Sequence, residues 1–437
     1  MSGFAAMTAT TTHDAPRSAG MNGVLFLLSL SILINYIDRS NLSIAAPLIK
    51  GELGLSDFQL GTLLAAFFWT YGFMQIPAGW LVDHFDVKWV FAAGFFVWSA
   101  ATATTGILHG FVALIVIRVI LGVGESVAFP SYCKILGIHF TESRRGFANS
   151  AIMAGLGLGP AIGILVGGNV VARFGWRPFF LALGLGALLW LFPWLAWMPR
   201  RTRTAVPATE ATVGILDILR QRSAWGTCLG QFCVNYTLYF LVTWLPSYLI
   251  RGRHLSMNQM AKVGGLVFFL SSVSGIGLGK LSDQWIAAGS SPTRVRKTML
   301  GVGQMGLGAS LAAAAFAPDS VFTWVLAPAG IFLGMSGGNC WAVTQTLAGT
   351  KVAGRWAGVQ NFIGNFAGAV APMLTGYLLG RTGQFYWPVV IAAVVSWIGA
   401  LSWVFAVGRV EPVDWEKKLG PTRFRIEATP ATGAAQP

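Results

Sequence analysis

The chain has 437 residues, 54% of them hydrophobic and only 11% charged, with a formal net charge of +14. That balance excludes an ordinary soluble domain, in which about a quarter of residues carry charge. The four cysteines, Cys133, Cys228, Cys233 and Cys340, show neither a disulfide framework nor a metal-ligand spacing.

In chain order, residues 1–20 are rich in Ala and Thr and lack the charged start and cleavable apolar stretch of a signal peptide. They read as a disordered tail. About twelve apolar runs follow, each near the ~20 residues needed to cross a hydrocarbon core about 30 Å thick. They lie near 22–46, 58–82, 89–108, 110–133, 147–171, 178–198, 224–249, 262–282, 298–317, 321–346, 356–380 and 385–408. None alternates with period two, which excludes outer-membrane strands and predicts an all-α membrane protein of twelve transmembrane helices.

After Trp197-Met198-Pro199 the hydropathy collapses into a polar stretch, so 200–223 reads as a linker between a first bundle, 21–199, and a second, 224–408. Residues 409–437 form a second tail. An internal repeat supports two six-helix halves. Gly79-Trp-Leu-Val-Asp83 ends the second run and Gly279-Lys-Leu-Ser-Asp283 the eighth, two hundred residues later. Arg144-Arg145-Gly146-Phe-Ala148 and Arg355-Trp-Ala357-Gly358 open the fifth and eleventh. Parallel six-helix repeats around a midplane site are the architecture of a rocking secondary transporter.

The positive charge is distributed by side. Lys88, Lys134, Arg144, Arg145, Arg200, Arg201, Arg203, Arg294, Arg296, Lys297 and the C-terminal Lys417, Lys418, Arg423 and Arg425 share the side of the termini. The other side carries fewer, among them Lys50, Arg173, Arg177, Arg251, Arg253 and Arg381. This positive-inside bias predicts cytoplasmic termini in a plasma (bacterial inner) membrane, and accounts for the charge without a nucleic-acid partner.

Four ionisable groups interrupt otherwise apolar runs of the first half: Asp38 and Arg39 in the first, Arg118 and Glu125 in the fourth. A charge at bilayer depth costs several kcal/mol, roughly 2.5–3.5 on insertion scales, and marks an ion or substrate path. Arg118 and Glu125 are two helical turns apart on one face, about 10 Å along the axis. Asp38 and Arg39 point about 100° apart and cannot meet the same partner. The economical arrangement pairs Asp38 with Arg118 and turns Arg39 to a central cavity near Glu125. Arginine binds a carboxylate bidentately and stays charged when desolvated. Asp38 and Glu125 are the candidate proton-coupling groups, Arg39 and Arg118 the candidate anion-binding ones. From the second half Asn235, Tyr239, Trp341, Asn361 and Asn365 are further candidates, since amides inside spans need a partner.

Throughout its spans the chain resembles the major facilitator superfamily. Tyr36-Ile-Asp38-Arg39, Tyr71-x-x-x-Gln75-Ile-Pro77, Arg118-x-x-x-Gly122-x-x-Glu125 and Gln231-Phe-Cys-Val-Asn235-Tyr236-x-x-Tyr239 resemble its anion:cation symporter family, which includes galactonate, glucarate and hexuronate permeases. The resemblance implies proton-coupled import of a small organic anion by a monomer without a cofactor, with Tyr36 and Tyr71 as hydroxyl donors. It also implies a conformational latch at Gly79, Asp83, Lys88, Gly279 and Asp283. The chain departs from the family at Asp83-His84-Phe-Asp86-Val-Lys88, where an arginine and a glycine are usual, and at Met153, in a stretch where several permeases carry glutamine. Gly155-x-x-x-Gly159-Pro160-x-x-Gly163 is similar to a motif of drug/proton antiporters, so the alternative is an exporter or anion antiporter. An enzyme would need a nucleophile with its base or a metal cluster, and the sequence offers neither.

Overall fold

The computed structural model describes residues 18–139, 151–152, 155–199 and 213–415, without the side chains of 18–20, Asp83, 137–139, Thr350, Lys351, Ala353 and Gly354. Residues 1–17 of the first tail, most of the linker, the end of the second tail, Arg144–Ala148 and Met153 lie outside the described residues, and 18–20 begin the first helix.

Twelve long helices, besides a short one at Ile215–Leu219 in the linker, run through these residues: α1 Ser18–Leu53, α2 Asp57–His84, α3 Val87–Thr105, α4 Phe111–Leu136, α5 Gly155–Phe174, α6 Trp176–Trp197, α7 Arg222–Gly252, α8 Met257–Ala287 and α9 Pro292–Phe316. The segment Phe322–Thr382 divides at Gly349, whose φ of 67° breaks the helix into α10 (322–348) and α11 Arg355–Thr382. α12 is Tyr386–Ala406. Ten of these are long and apolar enough to cross a bilayer; α2 and α10 complete the set. Most helices overrun their apolar runs, as α1 does through Lys50 and Glu52, because polar residues at the bilayer edge continue a helix at no cost.

The two-half repeat extends to local chemistry. Ser56 and Gln59 close a capping box at the start of α2, and Ser256 and Gln259 close the same box two hundred residues on at the start of α8. Lys88, near the start of α3, donates to the carbonyls of Leu195 (2.7 Å) and Met198 (2.6 Å) at the end of α6. Lys297 of α9 does the same for Val404 (2.8 Å) and Val407 (2.6 Å) at the end of α12. Each ammonium satisfies carbonyls that a helix end leaves open, at the negative pole of its dipole.

An even number of crossings puts both ends of the described chain on one face, called here the terminal face. The halves meet along α1–α7, α2–α11 and α5–α8. Contact is tightest toward the opposite face. A Cβ on Gly61 would lie 2.6 Å from the Pro372 carbonyl oxygen, so α2 and α11 touch backbone to backbone there. Across the same end Arg251 of α7 pairs with Asp57 of α2 (2.6 Å), which Lys50 of α1 also reaches (2.8 Å). Contact between α5 and α8 runs from Gly168 against Ala261 to Gly157 against Ser272. Beyond that depth it stops: Gly79, Gly277 and Gly279 meet nothing within 4 Å, and Ile76 and Ile276 are 75% and 65% exposed. Among the described residues, the halves are in close contact toward the opposite face and stand apart toward the terminal face.

A satellite apolar cluster closes the terminal end of the second half. Val213 and Ile218 of the linker, and Val410 and Trp415 after α12, pack with Leu347, Trp356 and Trp403. The Val413 N–H and the Trp415 indole donate to Leu347 and Ala348, carbonyls at the end of α10.

Candidate functional site

The site is built on α1 and α4. Arg39 donates from Nε to Glu125 Oε2 at 3.2 Å, with side-chain exposures of 4% and 0%. The guanidinium sits among three rings: its Cζ is 4.8 Å from the centroid of Tyr36, 5.1 Å from Phe67 and 4.5 Å from Tyr71. Tyr71 stacks on Phe67. Such faces stabilise a desolvated cation by about 0.5–2 kcal/mol each. Yet neither partner is saturated: Arg39 Nη2 and Glu125 Oε1 are buried without a protein hydrogen bond. A guanidinium with an open fork edge, in an apolar box, can take an oxyanion.

Tyr36 and Arg39 hold this position because α1 lies directly on α5. Side chains on Gly155, Gly159 or Gly163, one turn apart, would run into Ile32, Tyr36 or Ser40. The glycine series therefore has a packing explanation, and nothing in it needs an export function.

Arg118 is buried at 4% exposure, 5.6 Å from the Phe67 centroid, with Nε unpartnered. The expected Asp38–Arg118 pair is not formed. Asp38 Oδ1 instead accepts from Asn41 Nδ2 (2.9 Å) on its own helix, and Oδ2 has no partner. With Arg39 turned to Glu125, the roughly 100° step along the helix directs Asp38 toward α3, and Arg118 reaches both carboxylates only through space.

The second half supplies a lid. The Tyr239 ring packs on Phe68 (4.4 Å) beside Arg39, and its hydroxyl donates to Asn365 Oδ1 (3.0 Å). Asn235 belongs to a different network: it accepts from Gln231 (2.9 Å), Gln231 accepts from Gln360 (3.2 Å), and Gln360 accepts from Thr344 (2.6 Å). Gln231 and Gln360 were absent from the candidates; the signal for Gln231 was its place four residues before Asn235, on the same helical face. Asn361 is half-buried on α11. Trp341 is half-buried near the terminal end of α10, where it packs against the satellite cluster.

The latch set is also rearranged. Gly79 and Gly279 stand at the splayed ends of α2 and α8. Asp283 pairs with Arg296 (2.7 Å) inside the second half, where Arg296 also binds Ser282 and Asn339. The Asp83 side chain lies outside the described residues. The described bonds of Lys88 go to carbonyls of α6. Among the described residues the charge pair that crosses between the halves is Asp57–Arg251, at the other end.

Among the described residues no group of three His, Cys, Asp or Glu is placed to hold a metal ion. Relatives share nearly the whole chain. A probable sulfoacetate transporter, SauU, of Cupriavidus necator is 32% identical, covering 92% of this chain and 97% of the relative. A probable L-galactonate transporter of Escherichia coli K12 is 28% identical, over 90% of each. The hexuronate transporter of Bacillus subtilis 168 is 29% identical, over 83% of this chain and 89% of the relative. Among solved structures, a bacterial homologue of the human lysosomal transporter Spinster, in an inward-facing and unoccupied conformation, superposes with a TM-score of 0.75 at 19% identity, over 90% of this chain and 98% of that one. Residues 28–372 match the Major Facilitator Superfamily, and this chain, with two six-helix halves around a buried charged site, belongs to that family and is a transporter, not an enzyme.

Proposed function

We propose that this protein is a secondary active transporter that carries a small organic anion together with protons, exposing the Arg39 site to the two faces in turn. The observation that carries this reading is the single-point Arg39–Glu125 contact, buried on both sides with one open valence on each partner. A proton on Glu125 removes the charge that holds Arg39. The guanidinium then takes the anionic head of the substrate, and Tyr36, Tyr71 and Tyr239 stand beside it to receive hydroxyls or a second oxygen. With the anion bound and Glu125 neutral, the site carries no excess charge and can change sides at low desolvation cost. Release on the terminal face lets Glu125 lose its proton and recapture Arg39. The gradient does the work, so no cofactor enters.

The relatives named for sulfoacetate, galactonate and hexuronate transport support a compact carboxylate or sulfonate as the cargo. The basic bias of the terminal face supports its assignment to the cytoplasm of a bacterial inner membrane, which makes the direction import. One chain holds the whole pathway, so the proposed working unit is a monomer.

Purified protein in liposomes, given L-galactonate, D-glucarate, glucuronate and sulfoacetate under an imposed pH gradient, tests this. Wild type is expected to accumulate at least one of them, and Glu125→Gln to lose accumulation while keeping exchange of labelled for unlabelled anion. Gradient-driven accumulation by Glu125→Gln would refute the scheme.

A further inference from the structure

The opposite face carries more cations than its acids can match. Its three acids are Glu52, Asp57 and Asp319, and each is engaged: Glu52 by Arg177, Asp57 by Arg251 and Lys50, and Asp319 by Arg253. Arg173, Lys262 and Arg381 are left over, all exposed and without an acid partner among the described residues. The basic bias of this chain runs to the terminal face, so unmatched cations on the opposite face stand out.

Two of the three converge on one seam. α5 ends at this face and α8 starts from it, and the two touch where a Cβ on Gly168 would lie 2.7 Å from Ala261 Cβ. Arg173 stands five residues, about 7.5 Å, farther out on α5, and Lys262 follows Ala261 on α8. The aliphatic stem of Lys262 lets its ammonium snorkel outward and cover most of that difference in depth. Beneath each cation runs an exposed apolar stripe at helical spacing. Val166 and Ile162 lie seven and eleven residues before Arg173, and Leu266 and Phe269 four and seven residues after Lys262. The halves are in contact at this end, so side chains exposed here face the bilayer and not the space between the halves. Arg173 to Ile162 spans about 16 Å along the axis, half of a hydrocarbon core about 30 Å thick. Two cations above an apolar stripe one leaflet deep are complementary to a phospholipid with an anionic head.

We infer that Arg173 and Lys262 hold the phosphate of an anionic phospholipid from the opposite-face leaflet, with its chains lying along the α5–α8 seam. Both side chains bind phosphate, arginine as a planar fork and lysine as a point charge. Clusters of basic groups beside membrane helices recognise anionic headgroups in this way. Because each cation comes from a different half, one headgroup bridges the two halves where they touch. Arg381 provides the contrast. It ends α11 at the other seam, with its guanidinium 5.5 Å from the Tyr377 ring, and no second unmatched cation faces it across α2. The lipid site depends on the membrane-spanning fold alone, not on the cargo or its coupling ion.

Purified protein in detergent, titrated with dioleoyl-phosphatidylglycerol and separately with dioleoyl-phosphatidylcholine, tests this, with bound lipid counted by native mass spectrometry. Wild type is expected to retain one phosphatidylglycerol in preference to phosphatidylcholine. Arg173→Gln and Lys262→Gln each weaken that retention about fivefold, the effect of one basic residue on an anionic lipid. Arg173→Lys, which keeps the charge, weakens it less, and Arg381→Gln leaves it as in wild type. A ligand of the folded state stabilises it, so phosphatidylglycerol raises the thermal midpoint of wild type and of Arg381→Gln. It does not raise that of the double variant Arg173→Gln/Lys262→Gln. Equal retention of the two lipids by wild type, a drop in neither or only one of the seam variants, or an equal drop in Arg381→Gln overturns the site.

Discussion

Asp57 offers the sharpest perturbation of the conformational balance, because only one of its two ion pairs crosses between the halves. Arg251 reaches it from α7 at 2.6 Å and Lys50 from α1 at 2.8 Å, with side-chain exposures of 14% for Asp57, 29% for Arg251 and 23% for Lys50. Fully exposed pairs contribute about 0.2–1 kcal/mol. The bare attraction near a protein surface is about 4 kcal/mol at 4 Å and an effective dielectric constant of 20, before desolvation. A part-buried pair lies between these, and about 1.4 kcal/mol corresponds to a tenfold change in the equilibrium between opposite-face-closed and opposite-face-open states. The acid also favours the α2 N-terminus through the helix dipole, but α2 persists in both states and that contribution cancels. Arg251→Met and Asp57→Asn should therefore each shift the population about tenfold toward opposite-face opening. Lys50→Met leaves Arg251 in possession of the carboxylate and should not open that face. Spin labels on Gly51→Cys and Gly380→Cys, exposed glycines with no neighbours at that end of α1 and α11, read the change as a distance distribution once the exposed Cys133 is replaced by serine. An unchanged distribution in Arg251→Met, or an equal shift in Lys50→Met, would refute the assignment of the gate to Asp57–Arg251.

Two further outcomes follow from the same geometry. Lys88→Met and Lys297→Met each strand two helix-end carbonyls that now accept a charged donor, worth about 1.5–3 kcal/mol per bond before water substitutes. Both variants should lower the thermal midpoint in detergent by similar amounts, and a drop confined to one of them would contradict the duplicated role. Arg39→Lys keeps the charge but loses the fork and the planar stacking among Tyr36, Phe67 and Tyr71. The half-saturating concentration of the transported anion should rise at least about tenfold, checked by initial-rate uptake, with an unchanged value counting against Arg39 as the anion site.

The fold was legible because its signal is long and redundant. Twenty-residue apolar runs need no register, and Gly79–Asp83 against Gly279–Asp283 revealed the duplication that Ser56–Gln59 and Ser256–Gln259 repeat in their caps. The four charges were legible for a similar reason, since a burial penalty of several kcal/mol makes each conspicuous. Partner choice was not. Whether Asp38 meets Arg118 or faces α3 depends on how α1 is rotated, and a few tens of degrees decide it. Trp341 and Asn235 were placed by depth and rotation in the same way. Lys50, Arg251 and Asp57 read as ordinary rim charges, because nothing in one dimension brings the end of α7 to the start of α2. Lys88 sits at a motif position that suggests a rim latch, and its bonds to the open carbonyls of α6 were not legible because they depend on how α3 packs against α6.

The placement of Phe67 and Phe68 joins the site to the seal. Phe67 forms one wall of the box around Arg39, and Phe68, the next residue of α2, packs on Tyr239 and fills the space left by Gly368 of α11. Successive helical residues point about 100° apart, so a single turn of α2 presents one ring to the charged site and the other to the second half. Tyr239 in turn hydrogen-bonds Asn365 on α11, two and three turns from the Pro372 and Gly376 backbone that presses on Gly61. Coupling between a site and a gate requires a packed connection whose parts cannot move independently, and this one spans α1, α2, α7 and α11 without a break. A change of partner at Arg39 therefore bears directly on the packing that keeps the opposite face shut. The first half can carry all the charge because the second half has only to close on it, with a tyrosine, an amide and a small-residue seam.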